Sequence, residues 1–345
     1  MTTWDAIVVG SGAGGGVVAA RLSEDPARRV LLLEAGPDFP DEATLQPGFY
    51  SAGNTLGGWF AGVGAPIPQL DWGHVSEPLA NGRRVNLFRG RLMGGSTMIN
   101  ASIWVRGRKA DFDDWVAHGA TSWSWEQVLP WYERVERELP PRIYPRERWQ
   151  PISHAFEEAY LEIGYRPVEN LNDEDAWDGV VGPWPNNRRN EIRLGTLPTH
   201  IRAARQRPNC TVRGDALVDR VLLEGDRAVG VVLAGGEELR APLVVVAGGV
   251  YGSPAVLLRS GIGPADELKA VGIDPRVELP VGRGLRDHPQ SLFVLDAPRA
   301  ESQVGGTAFT VAARGDGFWS FPVPIDEEEG IVSIALGLNR QSPDG

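Results

Sequence analysis

Cysteine is almost missing from this chain. Cys210 is the only one in 345 residues, so no intramolecular disulfide, no C-x-x-C redox pair and no thiolate metal site can form. Long apolar runs are missing too, and none reaches the roughly 20 residues that a bilayer-spanning helix needs. The first apolar run begins by Ile7, which leaves no room ahead of it for a secretory leader, and the expected location is cytoplasmic. Basic charge is in deficit. There are 34 Lys and Arg against 45 Asp and Glu, a net charge of −11, which excludes the basic face that a nucleic-acid partner requires. Asp173-Glu174-Asp175 reads as a solvated acidic loop, and no metal site is expected.

What is present is ordinary in bulk and unusual in glycine. Hydrophobic residues make up 42% and charged residues 23%, as in a soluble globular protein. The length allows two domains or one large discontinuous one. The 43 glycines gather in runs where backbone must come close to something. The first such run follows Ile7-Val8-Val9, read as a buried parallel strand. Gly10, Gly12 and Gly15 satisfy G-x-G-x-x-G, Val17–Leu22 reads as a helix, and a second apolar run, Val30–Leu33, ends in Glu34. Gly10 permits a tight strand-to-helix turn, Gly12 lets the backbone approach a pyrophosphate, and Gly15 lets the helix lie close to the sheet. The helix amino end offers free N–H groups to phosphates. Glu34 stands where an acid accepts hydrogen bonds from ribose hydroxyls, and its charge disfavours a 2′-phosphate. These residues indicate FAD or NAD.

Further along, residues 38–70 read as an irregular excursion, and Asn81-Gly82 as a hairpin turn. Arg89–Ala101, containing Gly94-Gly95-Ser96 and Asn100, reads equally as a phosphate cradle or as a turn with a Ser/Thr cap. Residues 111–139 carry a helical period, 140–150 mark a boundary, and 151–205 read as two short helices joined by polar loops. Thr211–Arg213, Ala216–Leu223 and Ala228–Leu233 read as an antiparallel meander with a turn at Gly225-Asp226. Leu243–Ala247 reads as a buried strand. The helix after it is expected to open at Gly252-Ser253-Pro254 and to stop before Gly261. Ser291–Leu295 and Ile331–Leu338 alternate as strands. Asp287 is placed to cap a following helix.

The fingerprint, Gly90-Arg91-Leu92-Met93-Gly94-Gly95-Ser96-Thr97-Met98-Ile99-Asn100, the stretch Ile103–Trp115, Gly248–Pro264 and Val281–His288 together resemble the glucose–methanol–choline (GMC) family of FAD-dependent oxidoreductases. Val250 and Gly284 depart from the residues usual at their positions. The resemblance implies an α/β fold. A discontinuous Rossmann-like FAD-binding domain with a parallel sheet would take 1–139 and 206–290. A partial α+β substrate domain with an antiparallel sheet would take 140–205 and 291–345. It further implies cofactor contacts at Gly10, Ser11, Gly12, Ala13, Gly14, Gly15, Glu34, Ala35, Arg91, Gly94, Gly95, Ser96, Asn100 and Ala101, a backbone contact to adenine at Val218, and flavin-side positions at Asp287 and His288.

In that family an alcohol passes a hydride to flavin N5 while a histidine takes or orients the hydroxyl proton, in W-H and N-P contexts. Neither dipeptide occurs here, and His74, His118, His154, His200 and His288 all fall elsewhere. The expected catalytic residues therefore lie in a C-terminal portion that this chain lacks. The expectation is an FAD-dependent oxidoreductase acting on the CH–OH group of a small-molecule alcohol, with its electron acceptor open. The alternatives are a flavin-binding protein without turnover and an NAD-dependent dehydrogenase, which keeps only the first fingerprint and leaves the other stretches unexplained.

Overall fold

The computed structural model describes residues 4–41, 68–79, 81–189, 192–286, 290–296, 310–326 and 331–338. These described residues fall into two compact units, one holding those within 1–46, 64–99 and 194–286 and the other those within 100–193 and 287–345. These divisions differ from the expected ones at 139/140 and 205/206. Residues 100–139 join the second unit, where Trp104 donates its N–H to Pro185 and accepts from the Asn172 side chain. Residues 194–205 join the first unit, where Thr196 bonds to Ser11.

The first unit is built on a four-stranded parallel sheet in the order Leu243–Val246, Ala6–Val9, Val30–Leu33, Cys210–Arg213. The two central strands, AIVV and VLLL, are buried throughout, as expected of strands covered on both faces. Leu243–Val246 is an edge strand with Leu243 44% exposed, not the fully buried strand its composition suggests. Cys210–Arg213 also departs from expectation. It pairs in parallel with Val30–Leu33, and the antiparallel meander comprises Val218–Glu224, Arg227–Leu233 and Glu238–Arg240. The two sheets share one core, in which Ile7, Val9, Leu31 and Leu33 meet Val218, Val221, Val231 and Leu233.

The helix Ala13–Leu22 begins four residues earlier than its apolar pattern indicates, because the glycines themselves form its first turn. The helix Gly249–Arg259 also starts early, so Pro254 stands inside it and not at its first turn. It ends as expected, at Gly261 in the left-handed region (φ 81°). Residues 71–90 form the expected hairpin, with bridges Asp71–Gly90 and Val75–Asn86 and a turn at Asn81-Gly82. Most of the expected 38–70 excursion lies outside the described residues. Among the described residues no helix is long and apolar enough to cross a membrane.

The second unit contains a six-stranded sheet in the order Gln290–Asp296, Ile331–Leu338, Phe318–Asp326, Val311–Gly315, Val180–Pro183, Arg166–Pro167. All neighbours are antiparallel except the last pair. The strand Val180–Pro183 corrects the reading of 151–205 as two helices and loops. Four residues ending in Gly182-Pro183 show too little alternation to be recognised, yet they lie inside the sheet. Alternate residues face opposite ways. Val181, Val311 and Ala313 pack with Tyr144, Trp149 and Phe156 of the helix Pro151–Glu162 side. Val180 and Ala312 pack with Trp184, Leu171, Trp319 and Phe321. The helices Lys109–Ala117 and Trp125–Glu138 are joined through Phe112, whose ring contacts Trp125 and Tyr132. A side-on ion pair from Arg106 to Glu136 ties the second helix to the segment before the first.

Candidate functional site: two glycine turns and a buried carboxylate

In the first unit, the strand Ala6–Val9 ends at Gly10, whose φ of 94° suits only glycine. A Cβ on Gly10 would lie 2.4 Å from the Ala247 carbonyl oxygen, and one on Gly15 would lie 1.8 Å from the Gly10 carbonyl oxygen. These two glycines are required by the fold. Gly12 and Gly14 are different, because a Cβ on either would meet nothing within 4 Å. Their surfaces are open, and no side chain caps the amino end of the helix they start. An uncapped helix amino end beside open backbone favours an anion through its free N–H groups and the helix dipole. This arrangement fits a dinucleotide pyrophosphate.

A second glycine turn packs against the first. Gly94 (φ 93°) precedes and Gly95 (φ 52°) opens the short helix Gly95–Met98, and a Cβ on Gly95 would come 3.1 Å from the Cα of Gly12. Ser11 ties the two turns to Glu34. Its hydroxyl donates to Glu34 Oε2 at 2.5 Å and accepts from the Gly94 N–H at 2.8 Å, while its own N–H donates to Oε2 at 3.0 Å. The Gly36 N–H donates to Oε1 at 3.1 Å. Glu34 is 5% exposed. Burial pushes its pKa above the usual carboxylate value, and the hydrogen bonds from Ser11, Gly36 and Ala35 oppose that rise.

The carboxylate that the sequence points toward a ribose is thus also the anchor of the first glycine turn. The spacing of Glu34 from Gly15 shows that an acid stands there, but not that Ser11 engages it. Thr196 is a residue that sequence reasoning missed. Its hydroxyl donates to the Ser11 carbonyl at 2.9 Å, and its N–H donates to Thr97 Oγ1 at 3.0 Å. No motif around Gly195-Thr196 signals this role, since the contact spans 185 positions. Gly248-Gly249 starts another uncapped helix beside the same strand ends, with Gly249 open around its Cβ position.

The remaining expected positions are distributed as follows. Ala35 follows Glu34 and is half-buried, and Ala13 is exposed at the helix start. The Ser96 hydroxyl accepts from the Gly90 N–H at 3.1 Å. Arg91 is exposed, with its guanidinium 5.6 Å from the Trp72 ring. Val218 is buried at the start of the meander, and the segment leading to it bonds to the Glu34 carbonyl through the Ala216 N–H. Asn100 and Ala101 belong to the second unit. There the Asn100 side chain accepts from the Ser102 N–H, and the two carbonyls accept from Arg193 and Arg188. Asp287 and His288, with the helix cap expected of Asp287, lie outside the described residues.

A family model described as GMC oxidoreductase matches residues 4–290. The oxygen-dependent choline dehydrogenase of Pseudomonas putida is 35% identical over 312 residues, covering 83% of this chain and 53% of that protein. The chain therefore spans about half the length of the curated relatives it matches. Among solved structures, pyridoxine 4-oxidase from Mesorbium loti superposes with a TM-score of 0.82 at 28% identity, covering 99% of this chain and 72% of that one. An FAD-dependent oxidoreductase from Chaetomium thermophilum superposes with a TM-score of 0.69 at 27% identity, covering 86% and 55%.

Proposed function

Since the chain belongs to the GMC oxidoreductase family, whose members are FAD-dependent, we propose that it binds FAD and forms the cofactor-binding part of an oxidoreductase acting on the CH–OH group of a small-molecule alcohol. One observation carries the reading. Gly12 and Gly14 are open at an uncapped helix amino end, while the neighbouring Gly10 and Gly15 are closed against backbone. Openness at two glycines and closure at the other two is the pattern expected when a pyrophosphate needs the first pair and the fold needs the second.

In this reading the N–H groups at the start of Ala13–Leu22 offset the diphosphate charge. Glu34, held by Ser11, faces the adenosine ribose, and Ala35 and the Val218 backbone flank the base. The turn Gly94–Ser96 runs along the diphosphate. When bound, FAD supplies a hydride acceptor for the carbinol carbon. The hydroxyl proton needs a base within hydrogen-bond reach. No residue of this chain is assigned that role, and the family resemblance assigns it to a histidine in a later portion.

The test is reconstitution of the purified chain with FAD. Retained flavin absorbance with quenched emission is expected. Gly12→Ala should keep the fold, because its Cβ meets no protein atom within 4 Å, yet weaken FAD binding at least about tenfold, about 1.4 kcal/mol. A Gly12→Ala chain that binds FAD as well as the parent would refute this assignment. Bleaching of the bound flavin by an alcohol donor under anaerobic conditions reads out turnover, and its absence would leave a flavin-binding protein without turnover.

A further inference from the structure

Three arginines of the second unit are almost completely buried: Arg188, Arg193 and Arg314. Arg188 and Arg193 donate to the carbonyls of Ala101 and Asn100. Arg314 differs in having two aromatic rings against its guanidinium and two nitrogens with no hydrogen-bond partner. Its guanidinium carbon lies 3.8 Å from the Trp319 ring centroid and 4.2 Å from that of Trp177. One nitrogen, Nη1, donates to the Ala176 carbonyl at 2.8 Å. The other two, Nε and Nη2, are buried without a hydrogen-bond partner. Among the described residues Arg314 has no salt bridge.

Those two nitrogens share one edge of the planar group, and their N–H bonds point the same way. A carboxylate fits that edge with two parallel hydrogen bonds. The same unit uses this pairing twice. Nε and Nη2 of Arg106 hold the two oxygens of Glu136, and those of Arg146 hold Glu157 at 3.3 and 2.9 Å. At Arg314 the fork is formed, and among the described residues no acid stands in it. The surroundings carry charge of both signs. The Arg108 guanidinium lies 5.8 Å from the same Trp177 ring, and burial together with Arg108 pushes the Arg314 pKa down to about 9, while the nearby Asp178, which forms no ion pair with Arg314, pushes it the other way. A buried cation with an unfilled donor pair is costly unless an anion completes it.

We propose that the Nε/Nη2 edge of Arg314 is a binding subsite for a small-molecule carboxylate, gripped in its plane between Trp177 and Trp319. Arg314 stands next to the tip of its hairpin, where Asp316 is exposed, and both tryptophans are half-buried. The sandwich selects for geometry as well as charge. With two rings 3.8 and 4.2 Å from the guanidinium carbon, the Nε/Nη2 edge is the side with donors left to give, which a flat carboxylate matches and a hydrated halide does not.

The experiment titrates acetate into the full 345-residue chain at constant ionic strength, with chloride as the compensating anion and acetamide as the neutral isostere. It reads tryptophan emission, melting temperature and the Arg Nε–H NMR signals. Acetate is expected to shift one buried Nε–H signal, change the emission and raise the melting temperature saturably, while chloride and acetamide do none of these. Arg314→Lys keeps a cation but loses the fork and should weaken acetate binding at least tenfold. Arg314→Met should abolish it. If the Met variant does not fold, the Lys variant and the parent's Nε–H signal decide. An acetate response no larger than that of chloride, or one unchanged in the Lys variant, would overturn the subsite. So would a parent indifferent to acetate in which Arg314→Met lowers the melting temperature, since an acidic side chain of the protein itself would then hold the edge. None of these readings depends on flavin binding.

Discussion

Replacing Ser11 with alanine should damage the first unit far more than one lost hydroxyl suggests. The hydroxyl donates to a buried carboxylate at 2.5 Å and accepts the N–H of buried Gly94 at 2.8 Å. A hydrogen bond to a charged group contributes about 1.5–3 kcal/mol, and an orphaned buried N–H costs about 1–3 kcal/mol. The two terms share one atom and do not simply add, so the expected loss is about 3 kcal/mol. That is a large share of the roughly 5–15 kcal/mol of a typical domain. Urea unfolding of the chain without flavin should show it as a fall in midpoint at unchanged slope. The same variant should speed exchange of the Gly94 amide, because that N–H loses its acceptor. A destabilisation below about 0.5 kcal/mol, with Gly94 exchange unaltered, would mean that Ser11 does not join the two turns.

Glu34 binds its proton more tightly folded than unfolded, because burial raises its pKa above 4.5. Its contribution to stability is therefore full below that value and falls away as pH rises through the raised one. Glu34→Gln should flatten this decline in pH-dependent denaturation, and an unchanged profile would contradict the burial argument. Glu136 has the opposite sign. Burial raises its pKa, but the hydrogen bonds from Arg106 and Trp104 and the charge of Arg106 outweigh that and leave it lowered. Its stabilisation is present above 4.5 and lost as pH falls through the depressed value. Glu136→Gln should cost about 2–3 kcal/mol at neutral pH and little at pH 3, and an equal loss at both would count against the ion pair. Gly15→Ala should prevent folding of the first unit, since its Cβ would sit 1.8 Å from the Gly10 carbonyl oxygen. A soluble Gly15→Ala chain with native circular dichroism would show that the helix can move away from the strand.

The sequence alone determined the strand–turn–helix at Ile7–Leu22, the acid closing Val30–Leu33, the hairpin turn at Asn81-Gly82, and the strands at Ser291–Leu295 and Ile331–Leu338. Each of these is written in neighbouring residues, as an apolar period, a turn dipeptide or a glycine spacing, and such signals need no distant partner. The pairing of strands was decided by the tertiary structure. Cys210–Arg213 and Leu243–Val246 lie on opposite sides of the first two strands, and nothing local tells a strand added in parallel from one in a meander. Val180–Pro183 is a strand because Val311–Arg314 and Arg166–Pro167 lie against it. Pro254 can stand inside its helix because that helix begins at Gly249, earlier than the local rule for proline placement predicts. The tie of Ser11 to Glu34 and Gly94 and the bare edge of Arg314 between two tryptophans come from residues far apart in the chain. Side-chain chemistry of that kind exists only once packing has brought them together.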